Sequence, residues 1–161
     1  PSPNQALCDA ATVNLTVTPD ARDDAGVTPI NTPLNGNVGG NDVGVPAGSG
    51  FSLVSGTSNG SLTLNADGSY VYTPAAGYTG PDSFSYRVCL PSPNQTLCDT
   101  ATVQLTVFGA VADQAVTRVD TPVSGNVASN DLAVPANSTF SRATDPAHGS
   151  VTVNPDGTPA T

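Results

Sequence analysis

The sequence lacks the residue types on which helices and nucleic-acid surfaces depend. Its 161 residues include no Lys, Glu, Met or Trp, one His and only four Arg. The missing types are largely those that favour helices, whereas Thr, Val, Ser, Asn and Gly are abundant, so a helical protein is excluded. The net charge of −9 also excludes nucleic-acid binding, because phosphate neutralisation needs Lys and Arg.

The same absences remove most catalytic chemistry. Without Lys there is no Walker lysine and no Schiff-base lysine, and one His cannot build a His-rich metal site. His148 occupies the repeat position of Asn59 and is interpreted as a turn residue. No Ser lies in a G-x-S-x-G nucleophile motif, and no apolar run approaches the roughly 18 residues of a membrane span. These counts alone do not exclude an enzyme that uses only carboxylates. We nevertheless expect no enzyme and no membrane insertion in this segment.

An internal repeat organises the chain. Pro1–Val17 and Pro91–Val107 are identical at 14 of 17 positions, at an offset of 90 residues. A second match relates Leu34–Gly68 to Val123–Gly157 at an offset of 89 residues and shares the short motifs GNV, ND, VPA and FS. Such periodicity is typical of repeat architectures.

These offsets predict one complete repeat with a part of a repeat on either side. Residues 1–17 are expected to be the C-terminal strand of a preceding repeat, 18–107 a complete repeat, and 108–161 the N-terminal part of a following one. The simplest interpretation is a piece of a longer tandem array. The alternative is a mature subunit whose two incomplete ends complete each other between neighbours.

The complete repeat has the alternation of short β-strands. Ser61–Asn65 and Ser69–Thr73 alternate apolar and polar residues around the turn Asn65–Gly68, which indicates a hairpin. Two further strands each place their apolar residues on one face, and these are Phe84, Tyr86 and Val88, then Ala101, Val103, Leu105 and Val107. Six or seven such strands in about 90 residues predict a two-sheet antiparallel sandwich.

Three glycines occur at equivalent positions in the complete repeat and in the partial repeat that follows it. Gly36, Gly60 and Gly68 each have a counterpart 89 residues later. We interpret all three as turn residues that need a positive φ.

One segment resembles a known family. Asp67–Val88 reads DGSYVYTPAAGYTGPDSFSYRV and is followed by ATVQLTV at Ala101–Val107. This pattern is similar to the tandem bacterial Ig-like, cadherin-like repeats of large secreted and surface proteins. The resemblance implies an all-β fold of antiparallel Ig-like (cadherin-like) β-sandwich repeats in tandem. It also implies an extracellular stalk, adhesin or matrix protein at the bacterial cell surface, often with bound Ca²⁺.

The cysteines predict one disulfide. Cys89 and Cys98 flank an eight-residue loop between two strands, and cross-strand pairs in a hairpin lie within disulfide reach. Free buried thiols or a metal ligand are the alternatives. Cys8 matches Cys98, and its own partner would fall just before the start of the chain. A disulfide indicates an oxidising compartment and therefore secretion.

Aspartates are the candidate cation ligands, because Ca²⁺ prefers carboxylate and carbonyl oxygens. The candidates are Asp20, Asp23, Asp24, Asp42 and Asp82. The alternative is that they are solvated side chains or ordinary turn residues. In the third repeat Asp113 is kept, but Gln114 is aligned with Asp24, which weakens a charged site there.

Four N-x-S/T sequons could carry glycans, at Asn14, Asn59, Asn94 and Asn137. Chance matches are expected in a chain this rich in Asn, Ser and Thr. Asn94 is the favoured carrier because it lies in the loop 90–97, which we expect to be exposed.

Three hypotheses for function follow. The first is a non-catalytic structural segment of an extracellular tandem-repeat fibre, stalk or adhesin, with neighbouring repeats or copies as partners. The second is a filament subunit in which Ala11–Val17 of one copy adds a strand to residues 108–161 of the next. The third is a carbohydrate-binding accessory module that contacts glycans or cell surfaces, with Tyr78 and Phe108 as the only aromatics not required by the core.

Overall fold

The structure is a computed structural model that describes residues 11–158. Its secondary structure is all β. Seven strands follow one another along the chain: β1 (Asp24–Pro29), β2 (Leu34–Asn37), β3 (Gly50–Ser55), β4 (Gly60–Leu64), β5 (Ser69–Pro74), β6 (Gly80–Cys89) and β7 (Cys98–Phe108). No helix that could cross a membrane is found among residues 11–158.

The strands form two sheets, as the sequence predicts for a sandwich. One sheet has the order β1-β7-β6-β3 and the other the order β2-β5-β4. All neighbours are antiparallel except β1 and β7, which pair in parallel from Asp24 beside Val103 to Pro29 beside Phe108. The predicted two-sheet antiparallel sandwich is therefore confirmed, with this parallel pair as its one exception among the seven strands.

The core lies between the sheets and is dominated by aromatic side chains. The alternation of β5, β6 and β7 directs one residue in two inward, and the inward residues are almost completely buried. The buried cluster consists of Val38, Tyr70, Tyr72, Phe84, Tyr86, Ala101, Val103, Leu105 and Val107. Tyr70 packs edge-on against Phe84, with 5.2 Å between ring centroids. The predicted inward faces of β6 and β7 are confirmed.

The predicted hairpin joins β4 to β5. Asn65 N donates to Ser69 O (2.8 Å), and Gly68 N donates to Asn65 O (3.0 Å). Gly68 has a φ of +85°, which favours glycine. The hydroxyl of Ser69 donates to the carboxylate of Asp67 (2.6 Å), which completes the turn and lowers the pKa of Asp67.

Two of the shared glycines have a different explanation from the expected one. Gly36 and Gly60 lie in strands and have no positive φ. A Cβ at Gly36 would lie 2.5 Å from the Tyr70 ring, and one at Gly60 would lie 2.5 Å from Thr73 O. Close approach of neighbouring groups, rather than a turn conformation, excludes a side chain at both positions.

Residues 109–158 reproduce local features of the complete repeat at an offset of 89. Asp20 and Val43 form an isolated β-bridge, and so do Gly109 and Leu132. Within the described residues no strand follows Phe108. The division of the chain into 1–17, 18–107 and 108–161 stays a prediction.

The repeated hydrogen bonds also correct the alignment of the acidic residues. Asn41 Nδ2 donates to Asp23 O (3.0 Å), and Asn130 Nδ2 donates to Ala112 O (3.3 Å). Ala112 therefore corresponds to Asp23, and the next residue, Asp113, corresponds to Asp24. Placing Gln114 opposite Asp24 was wrong, because the offset between these repeats is 89 rather than 90 residues.

Candidate functional site

The lead-in segment, residues 20–24, runs into β1 and is held on both sides. Asp20 and Val43 exchange two backbone hydrogen bonds of 2.8 and 3.0 Å. On the other side, Ala21 N donates to the carboxylate of Asp99 (3.0 Å), and Thr102 N donates to that of Asp23 (2.8 Å). The carboxylates expected to bind a cation thus include groups that fix the backbone.

Asp42 joins the lead-in segment to the core. Its Oδ1 accepts hydrogen bonds from Arg22 N (2.8 Å) and from the hydroxyl of Tyr86 (2.9 Å). The same hydroxyl also lies within hydrogen-bond distance of Arg22 O (3.1 Å) and Val38 O (3.2 Å). Burial, followed by its hydrogen bond and charge interaction with Asp42, raises the pKa of Tyr86. Tyr86 is thus a neutral donor that holds the segment in place.

Asp24 lies close to this arrangement and carries a perturbed pKa. Burial, and then the negative charge of Asp42, raise the pKa of Asp24 to about 6. The Oδ2 atoms of Asp24 and Asp42 are both buried without a hydrogen-bond partner among residues 11–158. An unpaired buried carboxylate oxygen is costly, which favours uptake of a proton by Asp24.

Asp82 lies in a different environment near the start of β6. Its carboxylate accepts hydrogen bonds from Ser58 N (3.0 Å), Asn59 N (2.9 Å), Ser83 N (2.9 Å) and the Tyr72 hydroxyl (3.0 Å). Burial alone would raise the pKa of Asp82, but these donors outweigh it and the pKa is lowered. Asp82 therefore remains ionised and fixes the turn before β4 against β5 and β6.

The structure brings four of the five candidate cation ligands to one region. Asp20, Asp23, Asp24 and Asp42 belong to the lead-in segment or the loop bonded to it, whereas Asp82 contacts the turn at Ser58 and Asn59. Across the described part of the chain, no group of three or more His, Cys, Asp or Glu side chains converges to hold a metal ion. Binding of Ca²⁺ stays a prediction.

The disulfide expected between Cys89 and Cys98 is present. The two residues are directly opposite each other where β6 ends and β7 begins, with 4.1 Å between their Cα atoms. Leu90 N donates to Leu97 O (3.0 Å), so the hairpin ladder continues one pair beyond the bridge. Cys8 lies outside the described residues.

The four candidate glycosylation sites differ in how exposed they are. Asn14 and Asn137 are exposed, whereas Asn59 and Asn94 are only half-exposed. Ser92, Pro93, Gln95 and Thr96 of the loop 90–97 are exposed, but Asn94 itself is not the most exposed of the four sites. Glycosylation stays a prediction. His148 is exposed in a turn-like segment.

The Tyr and Phe side chains of residues 11–158 are all buried or half-buried. Contact with glycans stays a prediction. Tyr78 packs against the core, and its hydroxyl donates to Pro81 O. Phe108 is half-buried, and no Tyr or Phe among residues 11–158 is exposed. The expectation that Tyr78 is free of the core was wrong.

Two side chains that hold the lead-in segment, those of Tyr86 and Asn41, were not predicted from the sequence. Nothing in the alternation of β6 indicates that the hydroxyl of Tyr86 reaches the lead-in segment. The side chain of Asn41 bonds the same segment, and its counterpart Asn130 does so 89 residues later. The repeated ND dipeptide was the available signal, but its Asp was interpreted as a cation ligand or a turn residue and its Asn was given no contact with this segment.

Comparison with known proteins places this architecture in a family. A family model described as a bacterial Ig domain matches residues 14–106. A search of curated proteins finds no match.

Proposed function

This chain belongs to the bacterial Ig domain family, and on that premise we propose that it is a non-catalytic structural segment of an extracellular tandem-repeat fibre, stalk or adhesin. Bacterial Ig domains are commonly extracellular or on the cell surface, and the family is typically non-enzymatic. The partners we propose are neighbouring repeats of the same protein. The observation that carries the proposal is the pairing of β1 with β7.

The two strands that connect the domain to the rest of the chain lie side by side. The chain enters through β1 and leaves through β7, and six residue pairs join them in parallel, from Asp24 beside Val103 to Pro29 beside Phe108. A force that separates the two ends of the domain therefore pulls these strands in opposite directions along their length. The hydrogen bonds between β1 and β7 are roughly perpendicular to this force. They must therefore break together rather than one after another.

β7 is also secured on its other side. Ten residue pairs join it to β6, from Gly80 beside Val107 to Cys89 beside Cys98. The disulfide closes the end of that ladder. The strand that transmits the load out of the domain is thus held by two neighbours and one covalent bond, as a spacer under tension requires.

Single-molecule force spectroscopy tests this role by pulling the same protein in two directions. In the first, handles are placed at the two ends of the chain. In the second, they are placed at Thr63 and Val71, exposed residues that face each other across the antiparallel β4–β5 pair. We expect a several-fold higher unfolding force in the first direction, because the second separates hydrogen bonds one pair at a time.

Reduction of the disulfide identifies the unfolding event. Cys89 and Cys98 lie nine positions apart in the sequence. Breaking the bridge should therefore add about 30 Å to the released contour length, at roughly 3.5 Å per residue. Similar unfolding forces in the two directions would contradict a load-bearing role for the β1–β7 pair.

A further inference from the structure

The two sheets have four edge strands, and three of these strands carry features that hinder pairing with another chain. β1 ends in Pro29, which has no N–H to donate. β2 has only four residues. β3 has a register shift between Leu53 and Ser55, and its Phe51 N already donates to Ala66 O (3.0 Å). Prolines, short strands and bulges are the usual means by which sheet edges avoid further strands.

The fourth edge strand, β4, has none of these features. Its residues include no proline and no charged side chain. Its pairing with β5 is continuous, from Gly60 beside Pro74 to Leu64 beside Tyr70. No charged residue occurs in the sequence from Val43 to Ala66. An edge of this kind is open to the addition of another strand.

The ladder between β4 and β5 shows which backbone groups of β4 face its partner. Asn65 N donates to Ser69 O (2.8 Å), and Ala75 N donates to Asn59 O (2.8 Å). The backbone groups of successive residues in a strand alternate between its two sides. The odd-numbered residues from 59 to 65 therefore bond β5, and the even-numbered residues point to the free side of β4.

The unbonded backbone groups on this free side belong to Leu62 and Leu64. At the two ends of β4, Gly60 O accepts a hydrogen bond from a threonine hydroxyl (3.0 Å), and Ala66 O accepts one from Phe51 N (3.0 Å). Between them, the N–H and C=O groups of Leu62 and Leu64 have no partner within the described residues. Both side chains pack against the core, which holds this stretch of backbone extended.

We propose that β4 of one copy pairs with β4 of a second copy as antiparallel strands related by a two-fold axis at Thr63. In this register Leu62 lies opposite Leu64 of the other copy, and the two residues exchange N–H···O bonds. The two-fold axis repeats the exchange, so every free N–H and C=O group of both residues is bonded. The two Thr63 side chains lie directly opposite each other on the outer face, where Thr–Thr pairs are favourable. This interaction surface goes beyond the proposed spacing role.

The charge of the chain favours a second copy at this edge. Each copy carries a net charge of −9, so two copies repel each other. The outward residues of β4 and of the β5 strand beside it are exposed and uncharged, and these are Ser61, Thr63, Val71 and Thr73. Two copies can therefore approach along β4 without bringing like charges into contact. The strand also complements itself, because its free residues supply both donors and acceptors in the two-fold register.

The contact closes on itself and is weak. A two-fold contact uses the same surface on both copies, so it produces dimers and no longer assemblies. It consists of a few backbone hydrogen bonds and the edges of two half-buried leucines from each copy, and such a small interface dissociates readily. Because the paired strands are antiparallel, the two chains run in opposite directions.

Sedimentation equilibrium of the full 161-residue chain tests the proposal, in a Cys8→Ser background that removes dimers linked through that thiol. From about 10 μM to about 1 mM, where small interfaces dissociate, we expect the mean mass to rise towards twice the monomer mass. Thr63→Lys should weaken association about tenfold, because it places two ammonium groups opposite each other. The matched control, Val71→Lys, changes an exposed residue on the same face of the central strand β5 and should leave association unchanged. Thermal melts should show that both variants stay folded.

A crosslinking experiment tests the register. In the proposed pairing the Cα atoms of the two Thr63 residues lie about 4.5 Å apart, which is within disulfide reach. In the same background, Thr63→Cys should form a covalent dimer in oxidised glutathione. Ser61→Cys should not, because each Ser61 is displaced two residues from the axis and lies opposite Asn65 of the other copy. Both positions are exposed on one strand, so the two thiols are equally accessible.

Three results would overturn the proposal. The first is a chain that remains monomeric at about 1 mM, which would leave the edge to an extended segment of another protein. The second is equal weakening of association by Thr63→Lys and Val71→Lys, which would place the contact elsewhere. The third is equal crosslinking of Thr63→Cys and Ser61→Cys. None of them bears on the spacing role, because force spectroscopy measures isolated molecules.

Discussion

At the scale of single residues, the contact between Gly36 on β2 and Tyr70 on the neighbouring strand β5 decides which residue β2 can carry at this position. The ring of Tyr70 fills the space in which a Cβ at Gly36 would lie, 2.5 Å away. Tyr70 is itself 6% exposed and packs edge-on against Phe84. The ring therefore has little freedom to move away.

Gly36→Ala should consequently destabilise the complete repeat. We expect a loss of about 1–3 kcal/mol in the free energy of unfolding, as is usual when a packed core receives an extra methyl group. The repeat supplies a matched control, because Gly125 corresponds to Gly36 but has nothing within 4 Å of its Cβ position. Gly125→Ala should change the urea midpoint little. Equal losses in the two variants would show that strand propensity, rather than packing, decides the effect.

Single residues were also where sequence reasoning was weakest. The alternation of β6 places Tyr86 in the core, but it does not reveal that the hydroxyl reaches Asp42 across 44 residues of sequence. Likewise, the need for glycine at Gly36 arises from a ring on the neighbouring strand. Both are contacts between residues distant in sequence, and a local pattern cannot specify their geometry.

At the scale of elements, the β6–β7 hairpin depends on its disulfide. The bridge closes a loop with a sequence separation of nine residues. In the chain-entropy account, closing so short a loop contributes about 2.5 kcal/mol. Replacing both Cys89 and Cys98 with Ser should lower the free energy of unfolding by about that amount, measured by urea denaturation.

The third cysteine supplies the control for this prediction. Cys8→Ser should leave the free energy of unfolding of the complete repeat unchanged. Titration of free thiols before and after denaturation would verify the bridge independently. A double variant as stable as the wild type would mean that the ladder beyond Cys89, including the Leu90–Leu97 bond, is sufficient alone.

The elements themselves were largely predictable, with one exception that has a physical reason. Asn65–Gly68 is a local turn signal between two alternating segments, so the β4–β5 hairpin was predictable. The parallel β1–β7 pair joins residues about 80 positions apart and leaves no periodicity of its own. Whether these two strands run parallel depends on how the chain crosses between the two sheets. Local sequence patterns carry no information about that crossing.

At the scale of the whole molecule, acidity should act on stability in two opposite ways. The pKa of Asp24 is raised from 3.8 to about 6, so the folded state binds more protons than the unfolded state between these values. Stability therefore rises as the pH falls through about 6. The pKa of Asp82 is lowered, so the stability that its carboxylate contributes is lost as the pH falls further. We expect the most stable condition near pH 4–5.

Urea denaturation at pH 7.5, 6 and 5 measures the first effect. The gain should be at most about 1.4 kcal/mol per pH unit, reduced by solvent at this half-buried carboxyl. Asp24→Asn should flatten the dependence, whereas the exposed Asp120→Asn removes the same charge and should leave it intact. A wild type that loses stability between pH 7.5 and 5 would contradict the prediction.

The direction of the β1–β7 pair also decides where the chain leaves the domain. Because the first and last strands run the same way, the chain enters at one pole and departs from the opposite one. An antiparallel pair would return it to its starting pole. β7 has 11 residues, so each domain carries the polypeptide forward by about 35 Å, at roughly 3.3 Å per residue. Successive domains would add such steps in one direction, and the length of an array would grow in proportion to the number of its repeats.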